Sequence, residues 1–158
     1  MSEISPDQPA DLSPSLLRSV RRIAQAIDVR SREIARLTDL TLPQMLVLQS
    51  IRALGEVSTS AISRDASMSA PTVVAVLDKL EAKGMVVRYR STVDRRVVHA
   101  RLTDEGRRAL AASPGLLGED FTSRFDGLAQ TDREIMAAAA DRLATMMSVR
   151  TPPNGDIF

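Results

Sequence analysis

The period of the apolar residues changes at Gly84, and that change constrains the fold more than any other feature of the chain. Before the glycine, Val73, Val76, Leu77 and Leu80 recur at helical spacing. After it, Met85-Val86-Val87-Arg88-Tyr89-Arg90 and Val97-Val98-His99-Ala100-Arg101-Leu102 are strand-like runs rich in β-branched residues. Ser91-Thr92-Val93-Asp94-Arg95-Arg96 joins them, which makes a hairpin with a charged tip. A helix that stops at a glycine therefore feeds directly into a short β-ribbon.

The start of that helix is equally well marked. In Met68-Ser69-Ala70-Pro71-Thr72-Val73, Ser69 is a good N-cap, Pro71 suits the first turn, and Met68 can staple against Val73 across the cap. At about 100° per residue, Val73, Val76, Leu77 and Leu80 fall on one side. Pro71, Ala75 and Asp78 fall opposite, flanked by Thr72, Val74 and Lys79. One face packs and the other is presented. Upstream, Thr41-Leu42-Pro43-Gln44 reads as a capping box that opens a helix running to about Leu54, where Gly55 stops it. Ser58 then caps a short helix to about Asp65, with a tight turn after it.

Long helical patterns flank this region. Leu16, Val20, Ile23, Ile27, Ile34 and Leu37 make one stripe and predict a helix over 14–38 whose remaining faces are rich in arginine. A basic helix with a single apolar seam packs against another helix. Thr103-Asp104-Glu105 opens a further helix, with Thr103 as cap and acids in the first turn, until Ser113-Pro114-Gly115 interrupts it. A second segment resumes through Phe121 and Phe125. Thr131-Asp132-Arg133-Glu134 reads as another capping box, opening a helix with Ile135, Ala139, Leu143 and Met146 on one stripe. Residues 1–13 and 151–158, rich in Pro, Asp and Ser or in Pro and Gly, are expected to be flexible.

Composition narrows the function classes. A chain of 158 residues with 44% apolar and 26% charged residues can bury a proper core, and few aromatics (Tyr89 alone among Tyr, and no Trp) favour a mostly helical fold. The absence of Cys excludes disulfides, thiolate metal sites and cysteine nucleophiles. There is no glycine-rich phosphate loop, paired-histidine zinc motif or nucleophile elbow, so the expectation is a protein that is not an enzyme and uses no cofactor or metal. His99, the one histidine, lies in a strand run, where a structural or solvent-facing role is expected. The apolar runs fall far short of the ~20 residues a membrane span needs, and the first residues lack a basic segment followed by a hydrophobic one. A cytoplasmic location without membrane contact is therefore expected.

Net charge is only +1, but its distribution is lopsided: Arg88, Arg90, Arg95, Arg96 and Arg101 stand against Asp94 alone between Gly84 and Arg101, five minus one, or +4. Two short helices at a tight turn followed by a strand pair with a cationic tip place a helix N-terminus and an arginine-bearing loop on the same side of a small domain. Double-stranded DNA complements that arrangement. The major groove admits a helix whose first turn meets base edges, backbone N–H groups attract phosphates, and tip arginines suit a narrow minor groove. Asp94 and Arg96 could also form only a surface salt bridge, worth about 0–1 kcal/mol.

The stretch from Leu42 to Leu110 resembles the MarR family of bacterial regulators in Ser69-Ala70-Pro71-Thr72-Val73, Leu77-Asp78-Lys79-Leu80-Glu81-Ala82-Lys83-Gly84, Asp94-Arg95-Arg96 and Leu102-Thr103-Asp104-Glu105-Gly106. The resemblance implies a winged helix-turn-helix over 41–112, with the helices at 14–38 and 115–148 interlocking two copies into a homodimer. It implies a ligand-responsive transcriptional repressor that reads a pseudo-palindrome. A small-molecule effector would act in the crevice between the dimer helices and the DNA lobes. The DNA-binding residues implied are Ser69, Ala70, Pro71, Thr72, Val74, Ala75, Lys79, Arg88, Arg90, Asp94, Arg95 and Arg96. Arg96 is then the minor-groove arginine and Asp94 its orienting partner; Leu16, Val20, Ile23, Ile27, Ile135, Ala139, Leu143 and Met146 are the dimerisation set. Relatives often carry Lys or Arg where this chain has Ala70 and Ala75, so contacts with thymine methyls and an A·T-rich operator are expected. The first helix, through Arg21-Arg22-Ile23, Ala26-Ile27-Asp28 and Ser31-Arg32, also resembles an ectoine-regulator-like subgroup. The competing expectation is a winged-helix module that binds proteins and not DNA.

Overall fold

The computed structural model describes residues 11–148, which leaves the expectations for 1–10 and 149–158 outside the described residues. The chain divides into two compact units, the first ending at Leu116. The first contains α1 (Ser13–Thr38), α2 (Leu42–Leu54), β1 (Val57–Ser58), α3 (Thr59–Asp65), α4 (Ala70–Ala82), β2 (Val86–Arg90), β3 (Val98–Leu102) and α5 (Asp104–Ala112). The second contains α6 (Glu119–Asp126) and α7 (Gln130–Met147).

Local chemistry sets most of these boundaries. The Thr41 capping box is present: Gln44 N donates to Thr41 Oγ1 at 3.5 Å while Thr41 N donates to Gln44 Oε1 at 3.0 Å. Ser58 Oγ accepts from Ala61 N at 3.2 Å and opens α3. Gly55, at φ +81°, ends α2 in a conformation that a side chain would strain. α1 begins at Ser13, so the last residue of the stretch expected to be flexible is helical, and Asp11 Oδ1 accepts from Ser13 N at 3.0 Å.

The core of the first unit joins α1, α2, α3, α4, the sheet and α5 through Ile34, Leu48, Ile51, Ile62, Leu77, Leu80, Val86 and Leu110. Burying each such side chain contributes about 1.5–3 kcal/mol relative to leaving it in water. Met68 packs partly buried against this cluster. Ile34 is the one buried residue of α1, so that helix is anchored near its C-terminal end.

The sheet corrects the expected two-stranded hairpin. It has three antiparallel strands in the order β1-β3-β2, with Val57 opposite Ala100 and Val86 opposite Leu102. β1 is two residues long, too short for an alternating pattern to announce it, and Ser58 is both its end and the cap of α3. The base of the hairpin is clamped by α5. Thr103 Oγ1 donates to Gly84 O at 2.6 Å and accepts from Gly106 N at 3.1 Å, and a Cβ on Gly106 would stand 2.2 Å from Met85 O.

In the second unit Phe121 and Phe125 stack with centroids 5.6 Å apart, and neither α6 nor α7 contains a buried residue. The expected capping box at Thr131 is absent. α7 begins at Gln130 after Ala129, with no side-chain cap, and Gln130 Nε2 donates to Glu134 Oε1 at 2.7 Å. Because the helix starts one residue before it, Thr131 is inside the first turn and lacks the extended backbone a capping hydroxyl needs.

Candidate nucleic-acid interface

α3 and α4 meet at a turn in which Ser67 takes a left-handed conformation, φ +53°. Ser63 Oγ donates across it to Met68 O at 2.5 Å. Ser69 then caps α4: its Oγ accepts from Thr72 N at 3.3 Å and lies 2.7 Å from Thr72 Oγ1. Pro71 occupies the first turn, where its missing N–H costs nothing. Val73, Val76, Leu77 and Leu80 are buried, whereas Ser69, Ala70, Pro71, Thr72, Val74, Ala75 and Lys79 are all exposed. The expected division of α4 into a packed and a presented face is therefore the observed one.

The loop between β2 and β3 is organised by its own backbone. Ser91 N donates to Val97 O and Val97 N to Asp94 O, each at 2.9 Å. Ser91 Oγ accepts from Val93 N at 3.2 Å and from Asp94 N at 3.3 Å. Asp94 Oδ1 accepts from Arg96 N at 2.9 Å, so the carboxylate fixes the backbone of Arg96 and leaves its guanidinium uncommitted. Arg90 Nη1 donates to Arg95 O at 3.0 Å and stiffens the same loop from the strand side. Arg95 and Arg96 are exposed, and among the described residues neither has a carboxylate within salt-bridge distance. Ser91 was not anticipated, though a serine at a hairpin turn is a recognisable signal.

Arg88 stands apart from the other basic residues of the hairpin. Its Nη2 lies 2.7 Å from Asp78 Oδ1 and 2.6 Å from Glu81 Oε2, and its side chain is only 25% exposed. The hydrogen bond from Arg88 holds the Glu81 carboxyl below its ordinary range, and Glu81 and Asp78 together hold the guanidinium pKa up. Arg88 thus straps β2 to α4. Alternation along β2 could have shown this, because Arg88 shares its side of the strand with the buried Val86. At the far end of α4, Lys83 Nζ bonds Asp39 O and lies 3.2 Å from Asp39 Oδ2, mooring the helix to the corner between α1 and α2.

The residues expected to pair two copies are arranged differently in each unit. On α1, Leu16 and Ile23 are exposed, Ile23 at 56%, while Val20 and Ile27 are half-buried. On α7, Ile135, Ala139 and Met146 are exposed, Met146 at 79%, and Leu143 is half-buried.

Residues 40–98, from the corner after α1 to the first residue of β3, match the model of the MarR family. The chain is 29% identical over 128 residues to the Bacillus subtilis (strain 168) HTH-type transcriptional regulator YsmB, covering 81% of this chain and 86% of that protein. Streptococcus pneumoniae FabT in complex with DNA superposes with a TM-score of 0.64 at 24% identity, covering 86% of this chain and 96% of FabT. Bordetella bronchiseptica BpsR, whose DNA binding is regulated by 6-hydroxynicotinic acid, superposes with a TM-score of 0.63 at 24% identity, covering 82% and 98%. Residues 40–98, which carry the capped α4 and the loop at Asp94-Arg95-Arg96, are thus similar to the MarR family.

Proposed function

We propose that the chain is a sequence-specific DNA-binding transcriptional regulator and not an enzyme. It acts in the cytoplasm as a homodimeric repressor on a pseudo-palindromic, A·T-rich operator, and a small-molecule effector relieves it. The division of α4 carries the reading: an apolar half sealed in the core and an exposed half beginning at a capped first turn, followed by a loop with two arginines that lack carboxylate partners among the described residues. An exposed helix start offers N–H groups and side chains to a groove, and unpaired arginines exchange counterions with phosphates.

YsmB is named a transcriptional regulator, FabT is seen bound to DNA, and BpsR responds to an organic acid, all of which favours the same activity here. The exposed apolar side chains of α1 and α7 favour a dimer, because side chains such as Ile23 and Ile135 gain most by being covered. No described helix is long and apolar enough to cross a membrane.

The test is selection of bound fragments from genomic DNA, then gel shifts of the selected site at low and moderate salt. Affinity should fall steeply with salt, and the selected fragment should outcompete unrelated DNA. Salt-independent binding or no retention would leave a winged-helix module for protein partners. In sedimentation the chain should run as a dimer, and Ile23→Asp should run as a monomer with the first unit still folded.

A further inference from the structure

The loop between β2 and β3 carries one side chain that neither the packing of the fold nor the arginines account for. Val93 is 96% exposed, more than any other large apolar side chain among the described residues. The loop holds it out by hydrogen bonds of its own. Val93 N and Asp94 N both donate to Ser91 Oγ, at 3.2 and 3.3 Å, and the backbone bonds of Ser91 and Val97 close the loop around it. β-branching leaves the side chain few rotamers, so little conformational freedom is lost when a partner covers it. Its charged neighbours in the loop are Asp94, whose carboxylate accepts from Arg96 N, and Arg95 and Arg96, which lack carboxylate partners among the described residues.

We propose that Val93 is a specificity-determining residue: it meets the floor of the DNA minor groove beside Arg95 and Arg96 and selects against G·C pairs there. In that groove A·T and T·A pairs present only acceptors, and a G·C pair adds the 2-amino donor of guanine. A valine methyl cannot accept from that amino group. Covering it with Val93 strips away a hydrogen bond to water that nothing replaces, whereas the floor of an A·T pair leaves room for the methyls. The arginines act differently, through the negative potential of a narrow groove over several pairs. Val93 acts by contact at one step. A protein partner is a poorer match, because a lone apolar side chain among polar and charged residues offers far less than the roughly 800 Å² per partner of a stable protein interface.

This inference rests on the regulator reading and deepens it, and the test separates the two. Hydroxyl-radical cleavage of the selected operator, bound to the full chain, marks the minor-groove pairs that the loop protects. The central protected pair is then made A·T, G·C or inosine·cytosine; the last keeps the major-groove edge of G·C and lacks the 2-amino group. The unaltered chain should bind the A·T and inosine duplexes alike and the G·C duplex about tenfold more weakly. In Val93→Thr, which keeps the shape of the side chain and adds an acceptor, that penalty should drop to about twofold with the melting temperature unchanged. In Arg96→Ala all three affinities should fall together and the penalty should persist. The inference is overturned if the inosine duplex binds as weakly as the G·C duplex, if Val93→Thr keeps the full penalty, if Arg96→Ala abolishes it, or if the loop protects no minor groove. Failure of the unaltered chain to retain any operator would instead remove the regulator reading, and this inference with it.

Discussion

The two ends of the β2-β3 hairpin solve opposite problems. At its base, Gly84, Met85, Thr103 and Gly106 are locked by hydrogen bonds and a backbone approach too close for a methyl group, and Arg88 is bound to Asp78 and Glu81. At its tip, Ser91 and Asp94 accept backbone N–H groups, Val93 is 96% exposed, and the side chains of Arg95 and Arg96 have no carboxylate partner among the described residues. Arginine is the same chemistry in both places. What differs is whether the fold uses the charge internally or leaves it available, and sequence position on the strand decides that.

The comparison breaks most visibly at the base. Gly106→Ala places a methyl group against Met85 O, which neither α5 nor β2 can avoid without moving. It should lower stability by about 3 kcal/mol in urea denaturation, at the upper end of overpacking effects. A stability unchanged within error would show that the clamp has slack. At the tip the expected effect is on binding: Arg96→Ala should weaken DNA affinity by about 1–3 kcal/mol in a gel shift while the melting temperature stays put. Unchanged affinity would remove the loop from the interface. Arg88→Ala should do the reverse, costing about 1 kcal/mol of stability for its partly exposed ion pairs and leaving the salt slope of DNA binding unaltered. If the slope fell by about one unit instead, Arg88 would belong with the tip arginines.

The smallest effect concerns pH. Because Glu81 has a lowered pKa in the folded chain, the strap to Arg88 contributes stability above the ordinary carboxyl value of 4.5, and that contribution is lost as pH falls through the lower folded value. Acid unfolding of Glu81→Gln, compared with the unaltered chain, should show a shallower loss in that window; equal curves would assign the acid sensitivity elsewhere.

What was legible in the sequence was local. Thr41, Ser58, Ser69 and Thr103 cap helices because a side-chain oxygen three residues ahead of an N–H is a short-range arrangement that neighbours dictate. The same reasoning misplaced the start of α7, where Thr131 has the right residues around it but the helix begins earlier. β1 escaped because its partner β3 is some forty residues away, and pairing at that range leaves no mark on two residues. For the candidate site, exposure of the α4 first turn followed from helical period. The commitment of Arg88 to α4 required knowing that β2 lies against that helix.

The bond between the Ser69 and Thr72 hydroxyls has a consequence for selectivity. One hydrogen bond joins those two hydroxyls at the start of α4, and the exposed side chains nearest them, Ala70, Pro71, Val74 and Ala75, add no donor or acceptor, the next exposed polar groups along the helix being Asp78 and Lys79. A partner meeting this surface is sorted by the dehydration of methyl groups and by fit. Its association should therefore carry a negative heat-capacity change that persists after salt has screened the arginines.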